Sequence, residues 1–156
     1  EGFEASMYYM AAYYFMNLGA FGVLLYFESA VGSDHIEDLA GYGWKSPLIS
    51  IVMVAFLVSL TGLPPTIGFY GKYLLFKAGL NHGLEWLVFV AALNSVVSLF
   101  YYFSVAKSLF LKDPSDKPKL SQPVFAGLLA GLGLLTIWFG LQPESIEQLV
   151  IRCALF

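Results

Sequence analysis

The sequence predicts an all-α protein that crosses a membrane several times. Hydrophobic residues make up 58% of the 156 and charged residues only 12%, against roughly 45–50% and 25% in soluble domains. The apolar residues form four runs of about 20 or more, the length a helix needs to cross a bilayer. These runs lack the alternation of barrel strands, and an open sheet would leave backbone groups unpaired in lipid. We therefore expect a single polytopic helical membrane domain over residues 1–156.

The four predicted spans cover nearly the whole chain. They run over about residues 5–27, 47–80, 86–111 and 123–141. Residues 144–156 are too few to cross a bilayer, and we expect them to form an interfacial tail. The chain opens with Glu1 and contains neither an initiator Met there nor a signal peptide, so we expect a fragment of a longer protein.

The loop charges predict an orientation in the membrane. Lys and Arg are more frequent in or beside loops 28–46 and 112–122 than on the other side of the predicted spans. The positive-inside rule therefore places these two loops in the cytoplasm and both ends of the chain on the opposite, periplasmic side.

The composition also excludes several classes of function. The few basic side chains are scattered between apolar runs, so we expect no nucleic-acid partner. One cysteine, Cys153, cannot form an iron–sulfur or Cys-based zinc site, and two distant histidines do not make a metal site. We expect no metal and no cofactor bound by this chain.

The second span is predicted to be broken at Pro64-Pro65. A continuous helix over residues 47–80 would be about 50 Å long, far more than a bilayer requires. Proline lacks an amide hydrogen, so the carbonyls of Leu60 and Thr61 lose their helical partners, and Gly62 loosens the backbone just before the break. Irregular backbone at membrane depth persists only inside protein or beside water. We expect the hydroxyls of Thr61 and Thr66 to satisfy some of the freed groups.

Lys72 follows the break by about two turns and is flanked by apolar and aromatic residues. A lysine at the centre of a span costs about 2.5 to 3.5 kcal/mol, so an intramembrane lysine is a functional candidate. Burial favours the neutral amine, which suits a group that binds and releases a proton. On a helical wheel it shares a narrow face with Pro65, Gly68 and Gly79, where a helix or a file of water can approach. The alternative is that Lys72 ends a span and reaches the headgroups.

Polar residues on two other spans are candidates for lining a proton pathway. The third span places four of them at helical spacing, and the first span adds Asn17. The four are Asn94, Ser98, Tyr101 and Tyr102. The alternative is that these groups only join helices to one another. The fourth span has a GxxxG pattern at Gly127 and Gly131, which we interpret as a packing surface.

The stretch SLTGLPPTIGFYGKY (residues 59–73) resembles the antiporter-like, proton-translocating subunits of respiratory complex I, the NADH:quinone oxidoreductase. The pattern is most similar to the subunit N family of the bacterial enzyme. The resemblance extends to YYFMNLGAF (13–21), DLAG (38–41) and LNSVVSLFYY (93–102), in the same order and spacing.

The resemblance implies that this chain forms the last four helices of a fourteen-helix subunit. The span with Lys72 would be the broken twelfth helix, and Lys72 would serve the outer half of a proton pathway whose inner half lies outside this sequence. It also implies other membrane-arm subunits of complex I as partners, the bacterial inner membrane as location, and neither NADH nor quinone bound by this chain. The alternative is a subunit of a multi-subunit cation/proton antiporter, which shares the broken helix and its lysine. A third reading, a purely structural membrane anchor, leaves the intramembrane lysine without a role.

Overall fold

The computed structural model of the chain describes residues 1–33, 35–111, 113 and 122–148. Within these ranges the chain forms five main α-helices and two short 3-10 helices, without a strand, and residues 144–148 are also helical. The helices are α1 (Gly2–Val31), α2 (Pro47–Thr61), α3 (Ile67–Asn81), α4 (Glu85–Phe110) and α5 (Pro123–Leu141). The predicted all-α, polytopic architecture is confirmed.

The second predicted span consists of two short helices, α2 and α3, joined by residues 62–66. Each has 15 residues and is about 22 Å long, whereas the hydrocarbon core is about 30 Å thick. Of the described helices, α1, α4 and α5 are long and apolar enough to cross a membrane, and α2 is apolar but shorter. α2 and α3 therefore cross together, as one interrupted span.

The loop between α1 and α2 folds onto the end of α4. It contains the 3-10 helices Ile36–Leu39 and Tyr42–Trp44. The Gly41 amide donates to the carbonyl of Ser108 at 2.9 Å, and the Trp44 indole donates to the carbonyl of Phe110 at 3.1 Å. These bonds satisfy carbonyls that a helix end leaves free, and they fix the loop at one end of the bundle.

Two buried clusters hold the helices together. The larger includes Phe27 of α1, Phe56 of α2, Leu109 of α4 and Leu129 of α5. The smaller lies near the other end of the bundle and joins Tyr8, Ala12 and Met16 of α1 to Ile67 of α3. α1 packs against α2, α3 and α5, while α4 packs against α2 and α3. The helix break follows Leu60, which packs against both clusters. Within the break Thr66 is buried, whereas residues 63–65 are exposed.

Parts of two predicted segments fall outside the described residues. Residues 144–148 of the expected interfacial tail are helical, and Ile146 packs against the smaller cluster. The rest of the tail, and all of loop 112–122 except 113 and 122, lie beyond the part of the chain that the structure describes.

Candidate functional site

α2 ends at a glycine cap followed by two prolines. Gly62 adopts the left-handed conformation, with φ +86° and ψ +43°, which glycine tolerates best. Its amide donates to the carbonyl of Val58 at 3.1 Å, and the Leu63 amide donates to the same carbonyl at 3.2 Å. Pro64 and Pro65, joined by a cis peptide bond, have no amide hydrogen with which to continue the helix. The break therefore lies where the proline pair predicted it.

The ammonium group of Lys72 replaces the missing helical donors. Lys72 Nζ donates to the carbonyl oxygens of Leu60 at 3.0 Å and of Thr61 at 2.8 Å. These are the two carbonyls that the proline pair was predicted to free. A positive charge here also faces the negative end of the α2 dipole, an arrangement that stabilises helices.

Ser95 of α4 completes the coordination of Lys72. Its hydroxyl accepts a hydrogen bond from Lys72 Nζ at 2.9 Å and donates one to the carbonyl of Ala91 at 3.1 Å. The lysine therefore joins three helices, with its backbone in α3 and its acceptors in α2 and α4. The half-buried Lys72 side chain turns back toward the break and does not extend along α3 toward an end of the bundle.

Ser59 fixes the start of α3 against the end of α2. Its hydroxyl accepts a hydrogen bond from the amide of Gly68 at 3.2 Å and contacts Met16 Sδ of α1 at 2.7 Å. The Gly68 amide is one of the donors that a helix N-terminus leaves free, so Ser59 of one half-helix caps the other. A Cβ on Gly68 would overlap the carbonyl oxygen of Ser59. The two half-helices thus approach closely because residue 68 has no side chain.

The two predicted threonines bond locally. The Thr66 hydroxyl donates to the carbonyl of Leu63 within the break at 2.7 Å, whereas the Thr61 hydroxyl donates to the carbonyl of Leu57 within α2 at 2.9 Å. Thr66 thus satisfies a group of the break. Thr61 contributes to the break through its backbone carbonyl.

Two clefts reach this region from opposite ends of the bundle. The α3–α4 cleft, of about 410 Å³, contains Lys72, Thr61 and Ser95 and reaches Asn81 at the end of α3. The α1–α4 cleft, of about 430 Å³, contains Leu60 and reaches the loop between α1 and α2 at Ile36. The two carbonyls that bind Lys72 belong to adjacent residues, one lining each cleft. Lys72 therefore lines the α3–α4 cleft and is bonded to a residue that lines the α1–α4 cleft.

The predicted lining residues divide into two groups. Asn17, Tyr101 and Tyr102 lie together in the α1–α4 cleft. Asn94 and Ser98 are not among the described residues that line the two clefts, and the Ser98 hydroxyl donates to the carbonyl of Asn94 within α4 at 2.8 Å. Their helical neighbour Ser95, offset by about 100° from Asn94 on α4, contacts the lysine.

Sequence reasoning missed the contribution of α5 to the break. A Cβ on Gly140 would overlap the carbonyl oxygen of Pro65 and the backbone of Thr66. By contrast, Gly127 and Gly131 of the GxxxG pattern have no described atom within 4 Å of a Cβ placed on them. The glycine that makes the close contact lies outside the motif, so motif spacing gave no signal for it.

The sequence and fold of the chain match proteins of known family. Residues 1–98 match the family model described as NADH:quinone oxidoreductase/Mrp antiporter, TM. The chain belongs to this family. The match includes the broken span, Lys72 and Ser95, so the predicted resemblance is confirmed over the part of the sequence that builds the site.

Relatives in this family are subunits of membrane complexes. The chain is 42% identical over 145 residues to NADH-quinone oxidoreductase subunit N 2 of Chloroherpeton thalassium, covering 90% of this chain and 28% of the relative. Its fold matches a chain of respiratory complex I from Thermus thermophilus with a TM-score of 0.79 and 30% identity, over 93% of this chain and 34% of that one.

A chain of the Mrp complex from Dietzia sp. has the same fold, with a TM-score of 0.79 and 18% identity, over 94% of this chain and 36% of that chain. The present chain therefore spans about a third or less of the length of the proteins it matches, as expected for a piece of a longer subunit.

Proposed function

We propose that this chain is part of a proton-translocating membrane-arm subunit of NADH:quinone oxidoreductase, in which Lys72 binds and releases the transferred proton. The observation that carries the proposal is the position of the Lys72 ammonium group at a helix break. It lines the cleft that reaches Asn81 and is bonded to Leu60, which lines the cleft that reaches Ile36. An ionisable side chain at membrane depth needs polar partners, and proton relays use such groups.

The two clefts support proton transfer in two stages. A proton that enters by the α1–α4 cleft passes Asn17, Tyr101 and Tyr102 and reaches the break. Lys72 holds it there, bonded to oxygens of α2 and α4. Release then follows the α3–α4 cleft toward Asn81. Lys72 is proposed to serve both routes because it lines the α3–α4 cleft and is bonded to Leu60, which lines the α1–α4 cleft.

We infer the surroundings of the chain from the names of its relatives and from its own loop charges. Other membrane-arm subunits of the complex are its partners, and it lies in the bacterial inner membrane among lipids. Loops 28–46 and 112–122 face the cytoplasm and the chain ends face the periplasm, as the lysine distribution indicates. Redox chemistry belongs to other subunits, so this chain holds no cofactor and binds neither NADH nor quinone.

The decisive experiment replaces Lys72 in the intact complex. Lys72→Met keeps an unbranched side chain one atom shorter and removes the charge, and Lys107→Met, at the exposed end of α4, is the matched control. Proton pumping into vesicles is measured together with NADH oxidation. We expect Lys72→Met to lower the number of protons pumped per NADH oxidised and Lys107→Met to leave it unchanged. Normal pumping by an assembled Lys72→Met complex would contradict the proposal.

A cation/proton antiporter subunit is the alternative that the family description leaves open. In the structural comparison the identity to the complex I chain (30%) is higher than the identity to the Mrp chain (18%), which favours the oxidoreductase. Co-purification separates the two, because subunits with flavin and iron–sulfur centres belong to the oxidoreductase. Isolation of the full-length protein with such subunits is the expected result. Isolation of an assembly without them would favour the antiporter.

A further inference from the structure

A second polar cavity lies beyond the α3–α4 cleft, between the start of α1, the end of α3 and residue Glu147. It has a volume of about 210 Å³ and is lined by three carboxylates and one lysine among other residues. These charged groups are Glu1, Glu4, Glu147 and Lys77. We call it the carboxylate cavity. Nothing in the mechanism proposed for Lys72 uses it.

Tyr8 gives this cavity an unsatisfied polar group. The Tyr8 side chain is only 1% exposed and lines the cavity, and its hydroxyl has no hydrogen-bond partner among the described residues. The neighbouring Tyr70 ring lies 5.5 Å away, but the Tyr70 hydroxyl donates to Glu147 Oε2 at 3.3 Å. A buried hydroxyl without a partner is costly. The cavity is therefore suited to a ligand that forms hydrogen bonds.

Two residues of α3 connect the carboxylate cavity to the cleft that contains Lys72. Lys77 lines both. Asn81 lines the α3–α4 cleft, and its amide donates to Glu1 Oε2 at 3.3 Å, so it contacts a wall of the cavity. Lys77 follows Lys72 by five residues, about 7.5 Å along the helix. The two compartments are thus neighbours with a shared wall.

A metal ion is a poor occupant of the carboxylate cavity. No three His, Cys, Asp or Glu side chains in the described part of the chain come close enough to bind one. Lys77 also adds a positive charge, which repels a cation bound beside it. Separated carboxylates, a lysine and a phenol instead match the groups that exchange protons with water.

We propose that the carboxylate cavity receives the proton that leaves Lys72 and passes it to the solvent. The inference rests on the proposed function of Lys72 as a proton carrier. An N–H bond of the Lys72 ammonium breaks, the electron pair stays on nitrogen, and an O–H bond forms on a carboxylate of Glu4 or Glu147. That carboxyl group then releases its proton to water and becomes a carboxylate again. The Tyr8 hydroxyl binds the water that carries the proton.

The carboxylates give the transfer its direction. Lys77 lines both compartments, so its ammonium charge disfavours a second positive charge in each, whereas the carboxylates line only the carboxylate cavity and favour the proton there. Among the described residues, Lys77 forms no ion pair with a carboxylate. Glu4 Oε2 is paired with the N-terminal ammonium group at 3.3 Å, and Glu147 Oε2 accepts the Tyr70 hydroxyl at 3.3 Å. The second oxygen of each carboxylate is the one that accepts the transferred proton.

The test uses the intact complex and the double variant Glu4→Gln/Glu147→Gln, with Glu144→Gln as the matched control. Glu144 is three residues from Glu147 and lines a different pocket. We expect the double variant to lose protons pumped per NADH oxidised, as Lys72→Met does, and Glu144→Gln to pump normally. Redox-induced infrared difference spectra should also lose the signal of a protonated carboxyl group in the double variant.

Tyr8→Phe provides a second test if the double variant does not assemble. It removes one hydroxyl and keeps the ring that packs against Tyr70, and we expect a partial loss of pumping. Normal pumping by these variants, combined with a loss in Lys72→Met, would overturn this inference and leave the function of Lys72 intact. An equal loss in Glu144→Gln would also overturn it. Normal pumping by Lys72→Met would refute the proposed function itself.

Discussion

The Lys72 ammonium group is held by acceptors from two helices, and Ser95 is the acceptor from α4. Ser95→Ala removes this oxygen and leaves the carbonyls of Leu60 and Thr61 in place. A hydrogen bond to a charged group contributes about 1.5 to 3 kcal/mol, so we expect the protonated form of Lys72 to be less stable by about that amount and pumping to slow. Proton pumping and NADH oxidation are measured in vesicles.

Ser98→Ala is the control for this substitution, because the Ser98 hydroxyl bonds only within its own helix among the described residues. It should leave pumping unchanged. Equal rates for the two variants would show that the bond from Lys72 to Ser95 does not matter for transfer.

Gly62 combines a left-handed backbone with contact to the lysine. A Cβ there would lie 2.7 Å from Lys72 Cδ. Gly62→Ala should therefore destabilise the fold by about 1 to 2 kcal/mol from the backbone conformation alone, and should also displace Lys72 and reduce pumping. The measurements are the Tm of the purified complex and its pumping activity.

Gly83 supplies the comparison, since it also has positive φ, +71°, but no described atom lies within 4 Å of the Cβ position. Gly83→Ala should lower the Tm to a similar or smaller extent and leave pumping intact. If both variants pump equally, contact with Gly62 does not position Lys72.

Among the helices, α5 has the role that the sequence signalled least. Gly140 lies against the backbone of Pro65 and Thr66, so Gly140→Ala must push α5 away from the break. Overpacking of this kind costs about 1 to 3 kcal/mol, and we expect a lower Tm for the complex.

Gly131→Ala tests the same helix at a position where no described atom lies within 4 Å. The higher helix propensity of alanine should leave the Tm unchanged or raise it by the equivalent of up to about 1 kcal/mol. A large loss of stability from Gly131→Ala would indicate that another part of the assembly covers this face.

The location of the break was predictable because the effect of proline is local. Pro64 and Pro65 lack amide hydrogens whatever the tertiary structure around them. The carbonyls of Leu60 and Thr61 are predictable in the same way, because each lies four residues before one of the prolines. Their partner was not predictable in this way, since the Lys72 side chain reaches them only through the angle between α2 and α3. Ser95 and Gly140 make contacts between helices that are distant in sequence. The pattern of residues along a single helix does not distinguish either of them from its neighbours.

The bundle as a whole places its two exposed loop histidines at opposite ends. His35 lies beside the loop helices near α4, and His82 ends α3. The proposed orientation puts His35 in the cytoplasm and His82 in the periplasm. His35→Cys and His82→Cys, each in a background without other cysteines, should react with a membrane-impermeant maleimide from opposite sides.

Labelling of intact cells reports the periplasmic side, and labelling of inverted vesicles reports the cytoplasmic side. We expect His82→Cys to react in cells and His35→Cys in inverted vesicles. The reverse pattern would invert the proposed orientation. Reaction of both from one side would contradict a membrane crossing between them.

The number of N–H groups on the Lys72 side chain links its charge to the contacts between the helices of the bundle. An ammonium group has three hydrogens, and here three oxygens accept them. A neutral amine has two, so once the proton leaves, one of these oxygens loses its donor, and a buried oxygen without a partner costs about 1 to 3 kcal/mol. If Lys72 carries the proton as proposed, its hydrogen bonds join α2, α3 and α4 most strongly when it is charged. Departure of the proton would then weaken the contact between those helices in the same event.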